Sequence, residues 1–166
     1  MITPKTKQDY LDQVERDSYF AGRWEYFRAV YDIVAGMEPD TILEAGTNGY
    51  PLFQGSSTVD VVEGRANMTF DLTQPWPLTD GSMDLFIALQ VWEHLEGKQL
   101  QATREMMRVC RRAILSMPYC WTDPADTTHY MLTDAEFAEW GLRPTRRLLI
   151  PGDRARMIYV IDGGAE

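Results

Sequence analysis

The sequence predicts an α/β fold, a mostly parallel sheet with helices on its faces and one antiparallel strand at its edge. Three observations predict it. Short apolar runs rich in β-branched residues alternate with stretches of helical periodicity. The last such runs, 146–150 and 157–161, follow one another directly through Pro151-Gly152-Asp153, a hairpin signal. A polar residue stands at the end of each early run, at Glu44, Asp60, Asp71 and Gln90, where ligands bind in sheets of this kind.

In chain order, residues 5–36 read as helix in two pieces. Trp24, Phe27, Tyr31 and Val34 recur at helical spacing, and Gly36 marks a stop. Runs 41–44, 58–61, 68–70 and 83–89 read as the first four strands. Between the last two lies a turn-rich loop, Gln74-Pro-Trp-Pro-Leu-Thr-Asp-Gly81. Helical pattern fills 92–111, with Leu100, Thr103, Met107 and Cys110 on one face. Residues 113–117 form a fifth strand stopped by Pro118. Thr133-Asp-Ala-Glu136 is a capping box that opens a short helix closed by Gly141. The domain expectation is a single unit over 1–166, with residues 1–38 as a helical lid on a core of 39–166. Tyr10, Tyr19 and Trp24 are the residues of that lid that can reach a site.

Composition narrows the function. The 166 residues suit one domain with a real core. A formal charge of −9 argues against gripping phosphate backbones, so no nucleic-acid partner is expected. The local clusters Arg108, Arg111, Arg112 and Arg143, Arg146, Arg147 read as solvated flanks of strands. Two cysteines, Cys110 and Cys120, lack metal-ligand spacing, and two histidines make a zinc site unexpected; no metal is assigned. Residues 1–10 are polar and no apolar run approaches the ~20 residues of a membrane span. A cytoplasmic protein with reduced thiols is the expectation.

The block from Asp71 to Leu95 carries a more specific signal. It contains Asp80-Gly81-Ser82-Met83-Asp84, an apolar strand, then Val91-Trp92-Glu93-His94-Leu95. This pattern resembles the class I S-adenosylmethionine-dependent methyltransferases of the small-molecule, type 11-like group, and the resemblance extends over about 42–161. It implies a Rossmann-like three-layer sandwich, with a seven-stranded, mostly parallel sheet whose terminal strand is antiparallel. It implies S-adenosylmethionine as cofactor and S-adenosylhomocysteine as product. Glu44, Gly46, Thr47, Asn48 and Gly49 match the first motif, which holds the methionine part. Asp60 matches the ribose-binding acid, Asp71 and Leu72 the adenine contacts, and Leu89 and Gln90 the strand end beside the sulfonium. Asn48 and Tyr50 stand where that motif has glycines, and Pro51 biases Tyr50 toward an extended backbone. The stretch from Glu44 to Asp60 is also shorter than the family's, by roughly one to two helical turns of about 3.6 residues.

The implied reaction is methyl transfer to a small-molecule or saccharide-type acceptor. A general base is needed only where the acceptor must lose a proton. The candidates are His94, His129 and Tyr119. His94 opens the helix after the fourth strand, either to shape the pocket or to act as base. His129 lies before the capped helix, either to orient substrate or as a surface residue. Tyr119, Cys120 and Trp121 are expected to line the acceptor pocket, and no base partner is evident for Cys120. The alternative is a catalytically degenerate member that binds or scaffolds. A nicotinamide dehydrogenase is excluded, because no G-x-G-x-x-G precedes a helix. Shortening around the second strand would expose apolar surface, so a homodimer is expected.

Overall fold

A computed structural model describes residues 2–119, 133–152 and 154–163. Its elements are β1 (Thr3–Pro4), α1 (Lys7–Arg16), α2 (Trp24–Ala35), β2 (Ile42–Ala45), β3 (Phe53–Gln54), β4 (Ser57–Asp60) and β5 (Met68–Thr69). They continue as β6 (Met83–Leu89), α3 (Gln99–Val109), β7 (Cys110–Pro118), α4 (Asp134–Glu139), β8 (Arg146–Ile150) and β9 (Arg156–Asp162). Seven strands form one sheet in the order β5-β4-β2-β6-β7-β9-β8. The pairings β5–β4, β4–β2, β2–β6 and β6–β7 are parallel; β9 runs antiparallel to both of its neighbours.

Alternate side chains of the central strands feed two separate cores, as the period of a strand requires. Ile42, Leu85, Ile87, Ile114, Ile158 and Val160 face α1 and α2, meeting Tyr10, Tyr26, Phe27, Val30 and Val34. Leu43, Phe86, Ala88, Leu115, Tyr159 and Ile161 face the other way, onto Ala102, Met106 and Val109 of α3 and Phe137 of α4. The result is three layers, helix, sheet and helix.

The structure departs from the sequence reading at several points. The antiparallel strand is not at the edge. β9 lies between β7 and β8, and β8 is the edge strand. Burial explains the order: Ile158 to Ile161 are all buried, whereas β8 exposes Arg146, Arg147 and Leu149. The helix expected over 92–111 is broken. A single 3₁₀ turn at Trp92–His94 is followed by Glu96 and Gly97 in left-handed backbone, and α3 starts only at Gln99. The buried face of α3 is Gln99, Ala102, Thr103, Met106 and Val109; Leu100 is exposed, and Cys110 already belongs to β7. Arg108 is no solvated flank. Its guanidinium donates to Glu105, to Asp80 and to the carbonyls of Trp76 and Leu78, pinning the turn-rich loop. An unforeseen two-stranded sheet pairs β1 with β3. The capping box at Thr133 forms, and Gly141 follows α4 at φ 75°. Asp153 of the hairpin lies outside the described residues.

No helix joins β2 to β4 or β4 to β5. Side chains hold these connections instead. Glu44 is buried at the end of β2, where it accepts the N–H of Leu52 (2.7 Å), the N–H of Phe53 (3.0 Å) and the hydroxyl of Ser56 (2.6 Å). Asn67 Oδ1 accepts both the N–H (3.0 Å) and the hydroxyl (2.7 Å) of Thr58, closing residues 61–66 into a loop beside β4.

Candidate functional site

The carboxyl ends of β2, β4, β5 and β6 open into a cavity of about 560 Å³. That lies within the range of cofactor sites, roughly 300–1,000 Å³. Its lining includes Gly46, Asn48, Asp60, Asp71, Leu72, Gln90 and His94, so residues named from separate strand ends meet in one place. A smaller cavity of about 40 Å³ adjoins it, lined in part by Glu44, Gly46, Thr47, Asn48 and Leu89; Gly46, Asn48 and Tyr19 line both. Gly49 lines neither of these two.

The loop after β2 has the backbone that its residues allow. Gly46 lies at φ 63°, and a Cβ there would stand 2.5 Å from Val91 Cγ2. Only glycine fits both the conformation and the contact. Asn48 takes φ 50°, the left-handed region that its short amide side chain tolerates. Tyr50 points away from the cavity's larger part, into the helical core. It is buried against Phe20 and Phe27 with the Lys5 ammonium 3.9 Å from its ring centroid. The two departures from the family's glycines therefore have separate causes, a tolerated turn and a packing anchor.

Glu44 lines only the smaller cavity, and its carboxylate is engaged by this loop. Burial pushes its pKa up, against the hydrogen bonds from Ser56, Leu52 and Phe53. Asp60, last in β4, accepts the N–H of Val62 at Oδ1 (2.9 Å), and Oδ2 accepts nothing among the described residues. Asp71 accepts the N–H of Thr73 (2.8 Å), and that bond holds its carboxyl below the usual range, so it is ionised at neutral pH. Gln90 sits at φ 61° with its N–H on the Ser116 carbonyl. Its amide Nε2 donates to Ser116 Oγ (3.3 Å), while Oε1 is buried without a partner; so is Thr47 Oγ1. Ser116 also bonds the Tyr26 hydroxyl, which ties β7 to α2 beneath the site.

Of the acceptor-side candidates, the His94 side chain is about half exposed at the cavity wall, and the adjacent Glu93 carboxylate is almost wholly buried. Tyr119 is half-buried past β7, with its N–H on the Ala155 carbonyl (3.0 Å). His129, Cys120 and Trp121 lie outside the described residues. Of the lid residues, Tyr19 reaches the cavities. Tyr10 is buried with its hydroxyl on the Phe20 carbonyl, and Trp24 packs beside it. Sequence reasoning missed Arg23, Arg65, Val91 and Lys98, which line one or other cavity. Val91 is signalled only by what Gly46 must avoid.

The parallel order with one inserted antiparallel strand, and a cavity at the strand ends, decide the architecture. The fold is that of the class I methyltransferases. The methyltransferase domain of the bacterial protein CtHen1 superposes with a TM-score of 0.64 at 15% identity, covering 82% of this chain and 97% of that one. Magnesium protoporphyrin IX methyltransferase from Synechocystis PCC 6803, solved with bound S-adenosylhomocysteine, gives 0.58 at 17% identity over 96% and 95%. A chain of the complex between the Haloferax volcanii Trm112 methyltransferase activator and its putative methyltransferase gives 0.61 at 11% identity over 98% and 99%. No family model matches the sequence, and no curated protein matches it. No helix among the described residues is long and apolar enough to cross a membrane.

Proposed function

We propose that this chain is an S-adenosylmethionine-dependent methyltransferase acting on a small-molecule or saccharide-type acceptor. The observation that carries the reading is the convergence of Gly46, Asn48, Asp60, Asp71, Leu72 and Gln90 on one cavity of about 560 Å³. The residues fit the cofactor. Asp60 offers a free carboxylate oxygen to a ribose diol. Asp71 offers an ionised acceptor to an exocyclic amine, with Leu72 beside it. Gln90 Oε1 and Thr47 Oγ1 are buried polar atoms without partners, which a polar ligand would satisfy.

Bound there, the cofactor supplies an electrophilic methyl group on a sulfonium; the protein supplies position and electrostatics. Gln90, clamped to Ser116 by backbone and side chain, fixes the floor of the site at the end of β6. His94 stands where it can take the proton from an acceptor hydroxyl at a ring nitrogen. Tyr119 and His129 belong to the acceptor side in this reading. The expected homodimer would cover Val62, which is exposed after β4, and light scattering of the purified chain tests it.

Isothermal titration with S-adenosylmethionine and S-adenosylhomocysteine tests the central claim. Micromolar binding, lost in Asp60→Ala and in Gly46→Ala, is the expected result. A folded wild-type protein that binds neither ligand overturns the enzyme and leaves a non-catalytic member of the fold.

A further inference from the structure

Resting on that reading, we propose that residues 2–5 are a latch: docked on β3, they steady a wall of the smaller cavity and raise cofactor affinity without touching the cofactor, and bound cofactor holds them docked. Residues 2–5 line neither the larger cavity nor the smaller one. They act on two residues that line the smaller. The Lys5 N–H donates to the Leu52 carbonyl (2.9 Å), and the Lys5 ammonium stands 3.9 Å from the centroid of the Tyr50 ring. Next to them, Thr3 and Pro4 pair with Gln54 and Phe53. The N–H groups of Leu52 and Phe53 are already on the Glu44 carboxylate. The segment after the 46–49 loop is therefore gripped twice, by a buried carboxylate of β2 and by the N-terminal strap. Only the strap can let go without disturbing the seven-stranded sheet.

The strap is built to release. β1 has two residues, both exposed, and Pro4 brings the pair no N–H. A cavity of about 150 Å³ lies beside it, lined in part by Ile2, Pro4, Tyr31, Val34 and Phe53, so its apolar contacts are incomplete. Lys5 is half-buried, and that burial pushes its pKa down against the pull of Glu44 and Asp9. The Tyr31 and Tyr50 hydroxyls are buried with no hydrogen-bond partner among the described residues. Each of these is a cost of the docked state. The ammonium–ring contact and a few main-chain bonds oppose them, which leaves docked and released states close in free energy. α1 begins at its own capping box, Thr6 with Asp9, so release need not unwind the helix. A ligand that needs Tyr50 and Leu52 in place shifts such an equilibrium toward docking, and linkage makes the effect reciprocal. Lys5 is thus a positioning residue.

The test uses the full chain, a chain lacking residues 2–5, and Lys5→Met. Titration calorimetry with S-adenosylhomocysteine should show about ten-fold weaker binding without the strap and a smaller loss in Lys5→Met, while thermal unfolding of the unliganded chains changes little. In the full chain, acylation of Lys5 by an amine-reactive ester, read by peptide mass spectrometry, should slow by about the same ten-fold when S-adenosylhomocysteine saturates the site. Packing alone would not make Lys5 respond to a ligand it does not touch. If the shortened chain does not fold, Lys5→Met and the labelling of the full chain decide. Lys5 labelling that ignores the ligand, or affinity unchanged in the variants, overturns the latch and leaves the methyltransferase reading standing. A full chain that binds neither S-adenosylmethionine nor S-adenosylhomocysteine overturns that reading, and the latch with it.

Discussion

The two halves of the sheet are held together by different forces. On one side, β6, β7 and β9 are long, pair with one another over most of their length, and are sandwiched between α2 and α3. On the other, β4 and β5 are short, and no helix joins β2 to β4 or β4 to β5. There the connections hang on Glu44 and Asn67, each accepting main-chain N–H groups. Hydrophobic burial is shared among many side chains of several elements, so a loss at one of them is felt by the whole packed half. A loop held by one carboxylate has a single point of failure. The half that opens into the larger cavity is the half built that way, so its local stability is separable from the stability of the fold.

Glu44→Ala should break the comparison most sharply. It leaves the Leu52 and Phe53 N–H groups without acceptors and should cost about 2–5 kcal/mol. Ile114→Ala, in fully buried β7, should cost a similar amount, about 2–5 kcal/mol, by opening a cavity. Hydrogen exchange distinguishes the two. The Glu44 variant should unprotect residues 46–56 before the rest, and the Ile114 variant should raise exchange everywhere together. Uniform exchange in both would show that the halves are one cooperative unit. Asn67→Ala should cost less, about 1–2 kcal/mol, because the amide is exposed, and should loosen 61–67 alone.

The smallest effect is expected from acid. Glu105 takes the guanidinium of Arg108 and the N–H of Trp76, and the Arg108 bond holds its carboxyl below the usual range. The stabilisation is full above the ordinary glutamate range and fades as pH falls through the lowered value. Wild type should therefore lose Tm between about pH 5 and pH 3 more steeply than Glu105→Gln. Equal slopes would remove this pair from the forces that hold the 74–81 loop.

Local chemistry made much of this legible in the chain itself. The strand β6 is an unbroken apolar run, and the Thr133 capping box forms as the spacing requires. Asp60, Asp71 and Gln90 could be named because a strand's end is a position in sequence as well as in space, and all three line the cavity. What the sequence left open depended on contacts between distant segments. Period-2 burial does not say which neighbour a strand takes, so the place of β9 inside the sheet followed from its burial on both faces. The face of α3 slipped because Gly97 and Glu96 end the preceding turn, which no periodicity records. Tyr50 resembled a damaged glycine until the N-terminal helices supplied Phe20 and Phe27 to stack on it. Arg23 looked like any surface arginine. Only the fold brings it into one cavity lining with Gly46 and Thr47, because a cavity gathers residues by distance through space and not along the chain.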